Sequence, residues 1–332
     1  MNSAKKKSTK KKSAVLYHYP CPDGVCAALA AHLYFKATSS PVQFFPNTVY
    51  NPIKADHLPL QEVGDVYLLD FVGPTGFVAD ISSKVEKVII LDHHKTALET
   101  LGEETLLSEN VIKVIDMERS GATIAYDYFK HKLCEEKVGD YDSVLAEFSR
   151  MRKLFEYIED GDLWKWRLEN SKAFSSGLKD QKLEFDFRKN PLVFQQLLSL
   201  NVEAVISQGI TSLSHKQKMI AQALERSFAI KLGDEEFGCC LAVYADEALS
   251  ELRSELGNQL ACKSQVQSFR SIGAIVYKVP ELGNDQMLKI SLRSVKSEDT
   301  TSISQKYGGG GHRNASSFML SFTEFETWKI NV

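Results

Sequence analysis

The chain has 332 residues, of which 43% are hydrophobic and 25% are charged, and its formal net charge is −3. This length favours two domains, because single hydrophobic cores stop growing at about 250–300 residues. No apolar run reaches the roughly 20 residues of a membrane helix. The opening MNSAKKKSTKKKS also lacks the apolar stretch of a secretory signal. The composition therefore predicts a globular protein with no membrane partner.

Six lysines lie near the start of the chain: Lys5, Lys6, Lys7, Lys10, Lys11 and Lys12. Such a segment cannot bury apolar surface, so residues 1–13 are predicted to form a disordered tail. The tail suits contact with nucleic acid or nuclear import, although a solvated tail without either role is the commoner case. Setting these six charges aside leaves −9 for the rest. That charge disfavours a broad duplex-binding surface and favours short pieces of nucleic acid.

The six cysteines include no CxxC pair, so neither a structural zinc site nor a disulfide scaffold is predicted. Together with the missing signal, this predicts a reducing compartment. We expect a cytoplasmic protein, with the nucleus as the alternative that the lysine run allows. The oligomeric state is left open.

Predicted strands and helices alternate in the first part of the chain. AVLYHY from Ala14 predicts a buried strand, and VCAALAAHLYF from Val25 predicts a helix. Further strands are predicted at DVYLLDF, VEKVIILDHH and ENVIKVID, followed by a loop and a helix in MERSGATIAYDYF. This alternation predicts an α/β fold whose parallel sheet is covered by helices on both faces.

A second α/β unit is predicted near the end of the chain. The pattern from about Leu145 to Ile230 is mostly helical, and strands return at GCCLAVYA, IGAIVYKV and MLKISLRS. We predict an N-terminal parallel-sheet domain at 14–185, a helical connector at 186–235 and a smaller C-terminal α/β domain at 236–332.

Acidic and histidine residues follow three of the predicted strands. Because the carboxyl ends of parallel strands meet at one edge of a sheet, we expect these side chains to converge. Carboxylate oxygen mixed with imidazole nitrogen suits Mn²⁺, Mg²⁺ or Zn²⁺, and two such ions could act together in hydrolysing a phosphate ester. Any one of these residues could instead serve a turn. They are His18, Asp23, Asp70, Asp92, His93 and His94.

Five segments together resemble the DHH phosphoesterase superfamily, specifically its members with a DHHA1-type second domain. In order they are YHYPCPDGVCAALAAHLYF, VYLLDFVGP, VIILDHHKTA, ERSGATIAYDYF and YGGGGHRNASSF. The resemblance covers nearly everything from Ala14 to Phe318. It implies a DHH domain, a DHHA1 domain and a Mn²⁺- or Mg²⁺-dependent site in the cleft between them. Family activities include RecJ-type exonucleases, nanoRNases, nucleotide phosphatases, cyclic-dinucleotide phosphodiesterases and exopolyphosphatases.

The resemblance also implies roles for individual residues. Asp70 looks like the carboxylate that bridges two metals, and His93 looks like the metal-binding histidine, with Asp92 behind it to orient its ring. His94 would face the scissile phosphate, so His94 and Asp92 are the candidate catalytic residues. His18 and Asp23 belong to the predicted metal set. The segment IEDGDLWKW would supply the last metal carboxylate, for which Asp160 fits best and Asp162 stays open as the alternative.

The first motif departs from the family pattern, which has a histidine and two aspartates. HYPCPDGVC offers His18 and only Asp23. One alignment puts Cys21 at the missing carboxylate, and the other puts Val25 there. We therefore expect two ions with one of them weakly held, or Cys21 as a softer ligand.

Four consecutive glycines, Gly308 to Gly311, precede His312. Glycines let backbone N–H groups approach an anion closely, although such a run alone is more often a flexible loop. Here it resembles the substrate-gripping motif of the DHHA1 domain. The implied substrate-binding residues are Arg293, Gly309, Gly310, Gly311 and His312. Trp164 and Trp166 could stack on a base, but core positions are favoured for both.

The predicted function is a metal-dependent phosphoesterase that hydrolyses short oligonucleotides or nucleotide phosphates between its domains, with Mn²⁺ (or Mg²⁺) as cofactor. The alternative from another class is a catalytically weakened nucleotide-binding or nucleic-acid-binding regulatory protein that keeps the fold. Its support is the incomplete first motif. An exopolyphosphatase is a further alternative.

Overall fold

The computed structural model describes residues 11–48, 51–103, 108–137, 141–233, 235–279, 283–284, 286–295 and 298–330. Lys5, Lys6, Lys7 and Lys10 of the predicted tail lie outside these ranges. The chain divides into two compact units, Met1–Ser212 and Leu213–Val332. This division falls inside the predicted helical connector at 186–235, and the finer domain boundaries stay predictions. None of the described helices combines the length and the apolar character that crossing a membrane requires.

The first unit contains a five-stranded sheet in the order β2-β1-β3-β4-β5, with every neighbouring pair parallel. The predicted α/β class and parallel sheet are therefore confirmed. The strands are β1 Lys12–His18, β2 Val42–Asn47, β3 Val63–Leu69, β4 Lys87–Asp92 and β5 Val111–Ile115.

Two details of this sheet differ from the sequence prediction. The segment VQFFPN, which forms β2, was not predicted as a strand. Its Pro46 signals against a central strand, but β2 lies at the edge of the sheet, where a proline is tolerated. The second difference is that β1 begins at Lys12, inside the predicted tail, because Lys12 pairs with Val63 of β3.

Helices cover both faces of the sheet. On one face Leu16, Leu68 and Ile90 pack in a buried cluster with Val78 and Leu101. On the other face Tyr67 contacts the rings of Phe35 and Phe129 at centroid distances of 5.7 and 5.3 Å. The helices of the first unit are α1 Pro22–Ala37, α2 Phe77–Ser82, α3 Lys95–Glu103, α4 Gly121–Glu136, α5 Tyr141–Asp162, α6 Ser171–Asp180 and α7 Val193–Ser199, with a 3₁₀ turn at Ala55–His57. The next helix, α8 Val202–Glu225, begins in the first unit and ends in the second.

The second unit contains a mixed sheet in the order β10-β11-β9-β8-β7-β6, in which only β7 and β8 pair in parallel among the described strands. Both faces of β8 are buried, with Ala274 in one apolar cluster and Ile275 in the other. The elements are β6 Phe228–Lys231, β7 Cys239–Tyr244, β8 Ile272–Tyr277, β9 Met287–Ser294, β10 Gly310–His312, β11 Ala315–Ser321, α9 Arg253–Val266, α10 Thr301–Lys306 and α11 Phe322–Thr327, with a 3₁₀ segment at Glu247–Leu252. The strands β7, β8 and β9 were predicted.

Candidate metal centre

The predicted acidic and histidine residues do converge at the carboxyl edge of the first sheet. His18 ends β1, Asp70 follows β3, and Asp92 ends β4 with His93 and His94 directly behind it. Because β1, β3 and β4 are adjacent parallel strands, their ends lie side by side. Residues 75 positions apart in sequence therefore meet in one cluster.

Asp70 lies at the middle of this cluster. Its side chain is 1% exposed, and its Oδ2 atom lies 3.2 Å from Nδ1 of His18. The Oδ1 atom lies 3.2 Å from Nε2 of His93 and 3.8 Å from Nδ1 of His94. No group of the described residues donates a hydrogen bond to Oδ1. The backbone of Asp70 is left-handed, with φ at 65°, which is uncommon for a residue with a side chain and directs the carboxylate into the cluster.

The histidines decide the charge of Asp70. Burial acts to raise the pKa of this carboxyl group, but His18, His93 and His94 outweigh it and lower the pKa to about 2. Asp70 is therefore ionised across the whole range in which proteins work. A buried anion with one oxygen lacking a hydrogen bond is costly unless a positive charge is close to it.

The Asp92 carboxylate stabilises the turn formed by Asp92, His93 and His94, and its ring contact differs from the predicted one. Its Oδ1 accepts hydrogen bonds from the backbone N–H groups of His93 (2.7 Å) and His94 (3.3 Å), and it lies 2.8 Å from Nδ1 of the His94 ring. The sequence interpretation put Asp92 behind the ring of His93, and that is wrong, because the turn brings the next ring onto the carboxylate instead. The hydrogen bond to Asp92 raises the pKa of His94 to about 9. The Oδ2 of Asp92 is buried without a hydrogen bond.

Asp23 lies against the N-terminus of α4. Its oxygens accept hydrogen bonds from the backbone N–H groups of Gly121 (2.7 Å) and Ala122 (3.0 Å). Burial raises the pKa of Asp23, and the nearby Asp70 and Asp162 raise it further. The positive end of the helix offsets part of this unfavourable burial.

Gly121, in the segment ERSGATIAYDYF, also belongs to this site, although the sequence did not predict a role for it. A Cβ atom at Gly121 would lie 2.8 Å from the Cβ of Asp70 and 2.9 Å from Oδ2 of Asp23. The helix can approach both carboxylates only because residue 121 has no side chain. The ERSGAT segment places this glycine at the start of a predicted helix, and a glycine at such a position can indicate close packing.

Asp162, and not Asp160, lies in the cluster. Asp162 Oδ2 lies 3.5 Å from Nε2 of His93. The carboxylate of Asp160 instead accepts backbone N–H groups of Arg167 (2.9 Å) and Leu168 (3.2 Å) and so closes the turn after α5. Residues two positions apart lie on nearly opposite sides of a helix, so only one of these two carboxylates can face the cluster.

Cys21 lies beside His18 and Asp70 in the cluster. Its sulfur, His18 and Asp70 lie within 4.8 Å of one another, whereas Val25 is buried in α1. This geometry favours the alignment that puts Cys21, and not Val25, in the first motif. Burial raises the pKa of Cys21 to about 12, with Asp70 and Asp23 adding to the effect. The thiol therefore brings no negative charge to the cluster by itself.

The donor atoms fit divalent cations. Two buried carboxylate oxygens, on Asp70 and Asp92, lack a hydrogen-bond donor among the described residues. The residues that could hold ions fall into three overlapping groups, whose ligand atoms lie within 4.8 Å of one another in each group. These are His18, Cys21 and Asp70; Asp23, His93 and Asp162; and Asp70, Asp92, His93 and His94. A mixed oxygen and nitrogen set suits Mn²⁺, Mg²⁺ or Zn²⁺.

Two cavities of the first unit flank the cluster. One, which we call the His94 cavity, has a volume of about 380 Å³ and is lined by His18, Asp70 and His94. The other, which we call the Trp164 cavity, has a volume of about 510 Å³ and is lined by Asp23, Asp162 and Trp164 among others. Trp164 is 78% exposed, so the core position favoured from the sequence is wrong for this residue.

The predicted substrate-binding residues lie in the second unit. Arg293 of β9 pairs with Ala315 of β11, which pairs with His312 of β10. Directly opposed residues in antiparallel strands point to one face, so Arg293 and His312 share a face of this sheet.

The glycines before His312 have a packing role. A Cβ atom at Gly309 would lie 2.1 Å from the carbonyl oxygen of Ser317, and one at Gly311 would lie 2.5 Å from that of Ala315. No such contact restricts Gly310, which β10 exposes. The glycine run is thus explained in part by the tight hairpin of β10 and β11.

Comparison with known proteins adds the following. No family model matches the chain. An uncharacterised protein of Acanthamoeba polyphaga mimivirus is 25% identical over 319 residues, covering 92% of this chain and 67% of the viral protein. Among solved structures, the chain matches an exopolyphosphatase-related protein from Bacteroides fragilis at 14% identity and a TM-score of 0.42, over 96% of this chain and 90% of the other. It also matches PggH, a pGpG-specific phosphodiesterase from Vibrio cholerae, at 11% identity and a TM-score of 0.47, over 96% of both chains.

The likeness of this chain to the DHH phosphoesterases rests on its own motif residues and on the cluster that His18, Asp70, Asp92, His93 and His94 form.

Proposed function

We propose that this protein is a divalent-metal-dependent phosphoesterase of the DHH type, acting on short oligonucleotides or nucleotide phosphates. The observation that carries the proposal is the buried Asp70 carboxylate. Its Oδ1 accepts no hydrogen bond from the described residues, while two imidazoles lie within 4 Å of it. The histidines compensate part of the cost of burying this anion, and Asp70 and His93 would hold a divalent cation through the oxygen and nitrogen atoms that face each other.

The roles of the residues follow from their contacts. His18, Asp23, Asp70, His93 and Asp162 would hold one or two ions, with Mn²⁺ or Mg²⁺ as the best fit to oxygen and nitrogen ligands. A bound divalent ion supplies Lewis acidity and lowers the pKa of a coordinated water. We assign the last carboxylate to Asp162, because Asp160 is engaged by the backbone.

His94 is the residue placed to act on substrate. Its ring is partly exposed to the His94 cavity, and Asp92 holds its Nδ1 atom at 2.8 Å. With Nδ1 fixed by Asp92, the Nε2 atom of the ring is free to donate a hydrogen bond to a phosphate oxygen or to give a proton to the leaving oxygen. The high pKa of His94 keeps the imidazole protonated near neutral pH, which suits both roles. Asp92 is then a positioning residue.

The second unit would contribute phosphate contacts. We propose that the shared face of Arg293 and His312 binds phosphate oxygens, since a guanidinium makes two parallel hydrogen bonds to such groups. Gly309 to Gly311 would keep side chains away from this surface. The net charge of −3 favours a short substrate over a long duplex, which would meet widespread repulsion.

The direct test is hydrolysis of four substrates by the full-length protein: a five-nucleotide RNA, phosphoadenosine phosphate, a cyclic dinucleotide and polyphosphate. Each is measured with Mn²⁺, with Mg²⁺ and with EDTA. We expect turnover of the RNA or of the nucleotide, abolished by EDTA. Turnover of polyphosphate alone would support the exopolyphosphatase alternative instead.

Matched histidine variants separate the site from the rest of the protein. His93→Ala and His94→Ala should each lose turnover. His131→Ala is the control, because the His131 side chain is 75% exposed and pairs with Glu135 on α4, away from the cluster. Equal activity in all three variants would contradict the proposed centre.

A second function is favoured by one observation, the thiol at position 21. A neutral Cys21 in place of a carboxylate leaves the group of His18, Cys21 and Asp70 with one formal negative charge. A site of this kind could bind one ion and a nucleotide without efficient turnover. The protein would then be a nucleotide-binding regulatory module that has kept the fold.

The variant Cys21→Asp decides between the two. Calorimetric titration with Mn²⁺ gives the number of bound ions, and the substrate panel gives turnover. If the wild type binds substrate without hydrolysing it and Cys21→Asp gains both an ion and turnover, the regulatory function is favoured. If the wild type already turns substrate over, the phosphoesterase stands and the thiol is a working ligand.

A further inference from the structure

The Trp164 cavity borders the acidic cluster at Asp23 and Asp162, and the rest of its lining has no role in the function proposed above. It is formed by the β1–α1 loop, the end of α5, and α6 with the segment that follows it, all in the first unit. Asp23 and Asp162 line it, so one wall belongs to the cluster of acidic and histidine residues. Its volume of about 510 Å³ lies within the range of roughly 300–1,000 Å³ that small-molecule sites occupy.

The rest of the lining is aromatic and cationic. Tyr157 and Phe174 pack ring to ring at 4.9 Å and are both buried, so they form a rigid part of the wall. The Tyr157 hydroxyl donates to the carbonyl of Glu169 and is therefore not available to a ligand. Lys179 and Lys182 bring exposed side chains with two positive charges to the same cavity.

Trp164 lines this cavity and has an uncommon combination of exposure and backbone conformation. It is 78% exposed, and its backbone is left-handed with φ at 52°. A bulky residue with positive φ is a genuine outlier, and burying such a side chain would normally stabilise the fold by about 1.5–3 kcal/mol. The backbone N–H groups of Lys165 and Trp166 both donate to the carbonyl of Asp160, so the turn that holds Trp164 outward is well defined. The fold gives up stability here, and an exposed indole beside the cluster of acidic and histidine residues suits stacking on a flat ring.

We propose that the Trp164 cavity binds the base of a nucleoside monophosphate unit, with the indole of Trp164 stacked on the base. Lys179 and Lys182 offset the negative charge that a neighbouring phosphate brings. The inference rests on the proposed function, since it places the scissile phosphate at the cluster. It narrows the substrate class to base-bearing nucleotides and excludes inorganic polyphosphate as the preferred substrate.

The test compares a two-nucleotide RNA with the same dinucleotide lacking both bases, using the full-length protein and Mn²⁺. The Trp164→Ala variant should lower kcat/KM for the RNA by about 5- to 150-fold, the range expected for one stacked base. It should leave kcat/KM for the abasic dinucleotide unchanged. Trp164→Phe should recover most of the loss, because a phenyl ring still stacks.

Leu192→Ala serves as the control variant, since Leu192 is an exposed apolar residue of the same unit outside both cavities. It should leave both substrates unaffected. An equal loss on the two dinucleotides in Trp164→Ala, or no loss on either, would overturn base stacking while leaving the phosphoesterase intact.

If neither dinucleotide is cleaved, that result counts against the proposed function. The base site can still be tested by calorimetric measurement of binding. AMP and ribose 5-phosphate are then titrated into the wild type and Trp164→Ala. Tighter binding of AMP that disappears in the variant supports the cavity as a base site, and equal binding of the two compounds rejects it. The relative affinities of AMP and the dinucleotide RNA show whether a free nucleotide or the end of a short RNA is preferred.

Discussion

The edge where β1, β3 and β4 end buries a carboxylate oxygen that has no hydrogen-bond donor among the described residues, whereas the hairpin of β10 and β11 contains glycines that close packing requires. At the edge, Asp70 is 1% exposed and one of its oxygens has no hydrogen-bond donor among the described residues. In the hairpin, Gly309 makes room for the carbonyl of Ser317, and the segment is exposed at Gly310.

The two regions differ in whether folding alone explains their motif residues. A buried carboxylate oxygen without a hydrogen-bond donor lowers stability, so it needs a reason outside folding. A glycine that allows two strands to approach already has a structural reason. The proposed metal centre at the edge therefore explains a feature that folding does not, whereas the proposed substrate contact of the hairpin competes with a packing role, and the predictions below test that ranking.

The largest expected effect is at Asp70. Asp70→Asn removes the negative charge shared by the three histidines and should lower turnover by more than about 100-fold, beyond the range of about 10- to 100-fold typical for residues that only support a metal ligand. Mn²⁺ should also stop raising the melting temperature, since only a bound ligand stabilises the native state. The control is Asp56→Asn, because the Asp56 side chain is 79% exposed. Normal Mn²⁺ stabilisation of Asp70→Asn would remove the edge as the metal site.

The next effect separates Asp162 from Asp160. Asp162→Asn should weaken Mn²⁺ binding by about 10- to 100-fold with little change in the stability of the metal-free protein. Asp160→Asn keeps one acceptor oxygen for two backbone N–H groups, so it should lower the free energy of unfolding by about 1–3 kcal/mol and leave Mn²⁺ affinity nearly unchanged. Calorimetry and denaturant unfolding measure both quantities. The reverse pattern would restore Asp160 as the ligand predicted from the sequence.

In the hairpin, Gly309→Ala and Gly310→Ala form a matched pair. The first puts a Cβ atom 2.1 Å from the Ser317 carbonyl oxygen, and it should cost about 1–3 kcal/mol of stability through overpacking. The second meets nothing within 4 Å and should change stability by less than about 0.5 kcal/mol. If Gly310→Ala nevertheless lowers the affinity for a short RNA, the run contacts substrate and the ranking above is reversed.

Much of the fold followed from local patterns. The apolar β-branched run VIILD predicted β4, and it forms a strand with both faces buried. Parallel strands then made the convergence of His18, Asp70 and His93 predictable, because it depends only on strand order and direction. The edge strand β2 was missed, since its Pro46 is a local signal against strands and the pairing that tolerates it is a tertiary fact.

Side-chain direction was the part that sequence could not supply. Asp160 and Asp162 differ by two helical positions, and only the packing of α5 decides which of them meets His93. Trp164 was favoured as a core residue of the predicted helical segment, yet the turn after α5 gives it positive φ and leaves it exposed. Such turns depend on backbone hydrogen bonds to Asp160 that no periodicity reveals.

A histidine away from the edge gives an effect on stability that appears only at low pH, and it sharpens the comparison. His32 stacks on Phe194 at 4.7 Å, and burial, with Lys36 nearby, lowers its pKa from 6.5 to about 4. The unfolded chain therefore binds a proton on His32 before the native state does, so stability falls as the pH drops from 6.5 towards 4. His32→Phe should remove this loss and gain about 1–3 kcal/mol relative to the wild type between pH 7 and pH 4. Urea unfolding of both proteins across this range measures it, and a constant difference between them would show that His32 does not titrate on unfolding. His94 behaves oppositely because Asp92 raises its pKa, so the two histidines show what an acidic partner changes.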